Sequence, residues 1–216
     1  MTTAAPLPVV TTDGVALEAE WIPPGPEARM AVLLCHPHPQ YGGSMRAQLV
    51  GDLFRGLTGV AVARFNFRGV ERSEGVWSDG HGERLDVVAA ADAVDAAVRV
   101  ELGRPLPILM VGWSFGADLA LTVRDGRVVG WVAVAPPLHW TDHLDALGAD
   151  ARPKRIVVGA RDDLVSPEVL RDATRTWRST TVTEVPGADH FFVGATGPVV
   201  DLVNAVVAEP DRSPRT

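Results

Sequence analysis

The sequence predicts an α/β fold, a mostly parallel central sheet of about eight strands with helices on both faces. Three observations predict it. Six strand-like runs of six to nine residues recur along the chain, and most are continuously apolar, as strands buried on both faces of a parallel sheet must be. The segments between them carry helical periodicity, and strands alternating with helices are the mark of a sheet covered on both sides. The chain has 216 residues, enough for one substantial core and short for two.

The elements follow in order. Asp13-Gly14 is a turn dipeptide, and Val15, Leu17 and Ala19 alternate with Ala16, Glu18 and Glu20, which reads as a hairpin. The prolines of Pro23-Pro24-Gly25-Pro26 then make a connector, because the roughly 25 residues before it are too few for a domain. The runs are Met30 to Cys35, Gly59 to Phe67, Pro107 to Gly112, Val128 to Ala135, Arg155 to Ala160 and Thr180 to Val185. Helices are expected over 44–57, 83–102, 115–123, 167–177 and 198–207. The second is the clearest, with Leu85, Val88, Ala91, Ala96 and Val98 near a helical period and Gly103 as its stop. Ser166 caps the fourth and Pro167 takes its first position. No internal repeat is present. A single domain over 1–208 is expected, with 209–216, polar and proline-containing, as a flexible tail.

Composition narrows the function classes. Hydrophobic residues are 46% and charged residues 22%, an ordinary globular balance. The formal net charge of -7 repels phosphate backbones and anionic membranes alike, so neither a nucleic acid nor a membrane is an expected partner. Only Lys154 among the 20 basic residues is lysine, and the arginines form no stripe. One cysteine, Cys35, excludes an internal disulfide framework. No apolar run approaches the ~20 residues of a membrane span. The N-terminal segment lacks the basic start of a signal peptide, so the expected location is the cytoplasm.

In an open α/β sheet, ligands bind at the carboxyl ends of the strands. The third run ends in Gly112-Trp113-Ser114-Phe115-Gly116. This G-x-S-x-G sequence between a strand and a helix sets a serine on a sharp turn, its hydroxyl projecting off the sheet. A serine needs a base to become nucleophilic, and the base needs an orienting acid. Downstream of Ser114, Asp162 and Asp163 follow one run and Asp189-His190-Phe191-Phe192 follows the last, in the expected order of serine, acid and histidine. His190 is the candidate base, and either aspartate could be the acid.

At these residues the chain resembles the α/β-hydrolase superfamily, and in particular a group of small bacterial serine esterases with an HPHP segment. Five segments carry the resemblance: His36 to Met45, Arg64 to Ser73, Gly112 to Gly116, Gly159 to Val165 and Asp189 to Phe192. The likeness runs from the hairpin to the last helix. It implies the α/β-hydrolase fold, a Ser114–His190–Asp162 triad with Asp163 as runner-up, and no cofactor or metal. It implies an oxyanion hole from the amides of Phe115 and of a residue after the first run. Pro37 and Pro39 have no N–H, which leaves His38, with Gln40 second. Glu71 departs from the pattern, which has glycine there. Many relatives carry a helical cap, but here the connection from Pro136 to Lys154 has room for one short helix, around 142–147, so the cap is minimal or absent.

Other features have plainer readings. His36 and His38 could ligate a metal, but the run lacks the further Asp-His of a metallohydrolase pattern and suits a structural loop. Cys35 ends an apolar strand and reads as a buried small hydrophobe. Trp113, Trp140 and Phe192 could line a pocket or pack in the core. Gly42-Gly43 lacks the lysine of a phosphate loop. His139 and His143 fall in a polar segment. The expected activity is hydrolysis of a small-molecule carboxylic ester through an acyl-enzyme, preferring short acyl groups in the absence of a cap. A thioesterase or acyltransferase would use the same residues, and the fold also hosts lyases and ligand receptors. A homodimer could roof the pocket.

Overall fold

A computed structural model describes residues 3–209. An eight-stranded sheet takes shape in chain order: β1 (Ala5–Pro6), β4 (Ala19–Ile22), β5 (Ala31–Cys35), β6 (Ala61–Phe65), β7 (Ile108–Trp113), β8 (Val128–Val134), β9 (Lys154–Gly159) and β10 (Thr180–Val185). Between β1 and β4, β2 (Val9–Val10) and β3 (Ala16–Leu17) form the separate hairpin around Asp13-Gly14. The spatial order is β1-β4-β6-β5-β7-β8-β9-β10. All pairings from β6 through β10 are parallel, and β4 joins β6 and β1 antiparallel.

Side chains alternate across a strand, and the core divides accordingly. Ala31, Leu33 and Cys35 of β5, with Ile108 and Met110 of β7, face the layer that contains Val87, Val94 and Leu119. Val32, Leu34, Leu109 and Val111 face the opposite layer, with Leu49, Leu53, Val199 and Val203. The first layer belongs to α2 (His81–Leu102) and α3 (Phe115–Thr122), the second to α1 (Gln48–Gly56) and α6 (Thr196–Ala208). Two shorter helices, α4 (Leu144–Ala149) and α5 (Pro167–Thr174), complete the chain order. Among the described residues, no helix is long and apolar enough to cross a membrane.

The expected boundaries need two corrections. The first helix starts at Gln48 rather than Ser44. Met45 N–H donates to Asn66 Oδ1 at 2.8 Å and Met45 C=O accepts from Arg64 at 2.8 Å, so its backbone is committed to the neighbouring strand. The fourth expected helix, α5, ends at Thr174 rather than at Trp177; beyond it Arg178 N–H donates to Gly148 C=O at 2.8 Å and turns the chain. Between Pro136 and Lys154 only α4 intervenes, without a helical cap. Most of the tail read over 209–216 lies outside the described residues.

Candidate active site

Ser114 sits between β7 and α3 with φ 53° and ψ -123°, a backbone conformation costly for any residue but glycine. The surrounding packing holds it there. A Cβ on Gly112 would collide with the Gly116 carbonyl, and one on Gly116 with the carbonyls of Cys35 and His36; only glycine at both positions lets the turn pack this tightly. Ser114 N–H is anchored on Val134 C=O at 2.8 Å.

Three side chains meet at this turn. His190 Nε2 lies 3.0 Å from Ser114 Oγ, and His190 Nδ1 lies 2.8 Å from Asp162 Oδ2. Asp162 Oδ1 accepts from the amides of Leu164 and Val165, at 3.0 and 2.8 Å, so both carboxylate oxygens are engaged in a buried setting. Asp163 is exposed and makes no such contact. The first amide of a helix has no intrahelical acceptor, and that amide in α3 is Phe115. The His38 N–H donates to no acceptor among the described residues, whereas the Gln40 N–H is taken by His38 Nδ1 at 3.2 Å. The rings of His38 and Phe115 lie 5.2 Å apart, tilted by 53°.

The remaining sequence candidates find structural roles. His36 is fully buried. Its Nδ1 meets Pro37 C=O at 2.6 Å and its Nε2 accepts from Phe67 N–H at 3.0 Å, a pattern that fits the neutral ring protonated on Nδ1. Burial pushes its pKa down to about 4. The imidazole thus braces the loop after β5 against the loop after β6. The His38 pKa is also lowered by burial, against the opposing charges of Asp79 and Glu83. Burial raises the Cys35 thiol well above its usual range. No cluster of three metal-ligating side chains occurs among the described residues. His139 and His143 are exposed. Phe192 is core, and Trp140 packs between His38, Phe115 and His139.

Two residues take positioning roles that the sequence did not assign: Trp113, expected to line a pocket or pack in the core, and Asp118, not singled out. Trp113 is buried, and its indole N–H donates to His190 C=O at 3.0 Å, tying the histidine loop to the residue before Ser114. Asp118, one turn into α3, accepts the amides of Leu138, His139 and Trp140 at 2.9, 2.7 and 2.9 Å. Burial drives its pKa up to about 6, against those three hydrogen bonds. It straps the loop after β8, with Trp140, to the serine helix. An acid inside the apolar run Phe115 to Leu121 was the available signal. A third buried carboxylate, Asp86 on α2, receives the Arg68 backbone N–H and guanidinium at 2.8 to 2.9 Å and sets the loop after β6.

No protein-family model matches the chain. It is 32% identical over 179 residues to an uncharacterized protein of Rickettsia prowazekii, covering 77% of this chain and 73% of that one. An α/β serine hydrolase homologue from Coxiella burnetii superposes with a TM-score of 0.81 at 30% identity, covering 96% of this chain and 99% of the other. An α/β serine hydrolase without a lid from Xanthomonas campestris gives 0.78 at 26% identity, over 97% and 98%.

Proposed function

The chain belongs to the α/β-hydrolase superfamily as a hydrolase of that fold, and from that premise we propose that it is a serine esterase acting on small carboxylic esters. The observation that carries the proposal is the linked array of Ser114 Oγ, His190 and Asp162, with contacts of 3.0 and 2.8 Å. In this mechanism His190 Nε2 takes the hydroxyl proton as Ser114 Oγ attacks the acyl carbon. Asp162 accepts from Nδ1–H, holds that tautomer, and stabilises the imidazolium as it forms. The amides of Phe115 and His38 receive the charge that develops on the carbonyl oxygen. His190 then gives its proton to the departing alcohol. In the second half it takes a proton from water, which attacks the acyl carbon, and returns that proton to the departing Ser114 Oγ, releasing the acid and restoring the free serine.

The acyl side offers limited cover. Leu164 and Phe191, on the loops that bear Asp162 and His190, are exposed apolar side chains, and the connection after β8 supplies no cap above them. Each methylene left in water forfeits about 0.8 kcal/mol of binding. Across p-nitrophenyl esters from acetate to palmitate, kcat/KM is therefore expected to peak below about six acyl carbons. A maximum at ten or more carbons, or a jump at the substrate's micelle threshold, contradicts an uncapped site.

Trp113 gives a second test. Trp113→Phe keeps an aromatic ring in the core and removes the donor to His190 C=O. The expected result is a kcat lowered about tenfold with KM little changed, since one neutral hydrogen bond is worth about 1 kcal/mol and positional errors at a base are amplified. Steady-state kinetics beside a thermal melt decides the matter: a lower Tm with intact kcat makes Trp113 a packing residue alone.

A further inference from the structure

A cleft of about 390 Å3 opens between the loop after β5 and the loop after β6, a size at the small end of the range for small-molecule sites. Gln40 and Ser44 line it from the segment after β5, and Arg68, Glu71 and Trp77 from the segment after β6. The Trp77 ring packs on His38 at 4.6 Å and on Phe115 at 5.1 Å. The cleft lining also includes Pro39 and Gln40, the residues that follow His38, whose amide was assigned above to the carbonyl oxygen.

Its charges are spent internally. Arg68 gives its guanidinium nitrogens to Asp86 and Asp13, and Arg46 is paired with Glu18 and Glu71. No cation in the lining is left to hold a phosphate or carboxylate. Glu71 Oε2 is engaged by Arg46 and by Asn66 Nδ2, so its charge is compensated and suits no cationic group. Glu71 Oε1 accepts no hydrogen bond among the described residues. What the cleft presents is one carboxylate oxygen, an amide, a hydroxyl and an indole. Hydroxyl groups, which both donate and accept, satisfy the first three, and the C–H face of a saturated ring satisfies the last. Glu71 holds its place with φ 49°, a left-handed conformation in which a glycine would rest more easily, and the carboxylate is what the chain gains there.

We infer that this cleft is a subsite for a neutral polyhydroxylated group, the alcohol half of an ester such as an acylated sugar, with Glu71 and Trp77 as its specificity-determining residues. The inference rests on Ser114 being the nucleophile of an ester hydrolase. Its test is the ratio of kcat/KM for 6-O-acetyl methyl glucoside to that for n-butyl acetate, in the wild type, Glu71→Gly and Trp77→Leu, with thermal melts as fold controls. A hydroxyl donated to a carboxylate is worth about tenfold or more. The wild-type ratio is expected to exceed ten and to fall at least fivefold in each folded variant. A wild-type ratio near one, or a ratio unmoved by both substitutions, overturns the subsite. Saturation-transfer NMR of methyl glucoside on the Ser114→Ala protein separates the two readings. Glucoside signal lost with Glu71→Gly, beside no hydrolysis of any ester, upholds the subsite and rejects the esterase; hydrolysis of butyl acetate without glucoside binding does the reverse.

Discussion

Ser114→Ala is expected to abolish labelling by a fluorophosphonate and to lower ester hydrolysis by roughly a thousandfold or more. Alanine removes Oγ, the atom 3.0 Å from His190 Nε2, and leaves the φ 53° backbone of the turn with the same side-chain penalty as serine. Stability should therefore change little, and the loss is chemical. A competing thiol is disfavoured because Cys35 is buried at the end of β5 and its pKa is raised by that burial. Mass spectrometry of the labelled protein together with rates on p-nitrophenyl acetate checks both halves. A label on Cys35, or wild-type turnover in the alanine variant, removes Ser114 from the mechanism.

The next largest effect belongs to the acid. Asp162→Asn is expected to cut kcat by orders of magnitude while the protein stays folded. An asparagine presenting its amide N–H to Nδ1 favours the tautomer with the proton on Nε2, which then cannot accept from Ser114. Asp163→Asn should stay within a few-fold of wild type, because Asp163 faces solvent. Measured side by side, the reverse ranking would transfer the role to Asp163. The asparagine Oδ1 can still accept the amides of Leu164 and Val165, so melts beside the kinetics are expected to show the fold kept.

The strands were the most legible part of the sequence because burial on both faces leaves continuous apolar runs. β5 and β7 are buried at every residue, and their observed bounds lie within one residue of the expected ones. The start of α1 was not legible. The expected start at Ser44 fails because Met45 is held by Asn66 and Arg64, residues some twenty positions away whose contacts no local pattern encodes. The meeting of Ser114 and His190 with an aspartate could be anticipated because each follows a strand end on one edge of the sheet, while the choice of Asp162 over Asp163 came from the family resemblance. The hydrogen-bonding roles of Trp113 and Asp118 were hidden for a different reason. Each acts through backbone atoms of a distant loop, and backbone partners leave no residue-type signature. Gly112 and Gly116 were readable as a motif, but why they are needed, against the carbonyls of Gly116, Cys35 and His36, came only from the packing.

The Asp118 strap makes folding proton-linked. With its pKa near 6 in the folded chain and about 3.9 when unfolded, the carboxyl holds its proton more tightly in the native state. That difference costs the fold nothing below about pH 4. The cost grows as pH rises through 4 to 6 and stays near 3 kcal/mol above. Other carboxylates pull the opposite way. Asp13 is held near 2 by Arg68 and Asp150 near 2 by Arg152. Glu18, despite its burial, is held near 2 by Arg46, Arg72 and Asn66. Their contribution is present at pH 5 and is lost only as the solution falls below about 4. Burial also holds His36 near 4, below its unfolded value of about 6.5, so stability is lost as pH falls below about 6.5; this offsets the gain from Asp118, whose linkage is therefore read by difference. Melting wild type and Asp118→Asn at pH 5 and pH 7.5 isolates the carboxyl. The stability gap between the two proteins should be wider at pH 5 than at 7.5, and a gap independent of pH would mean that the strap stays ionised throughout and exchanges no proton on folding.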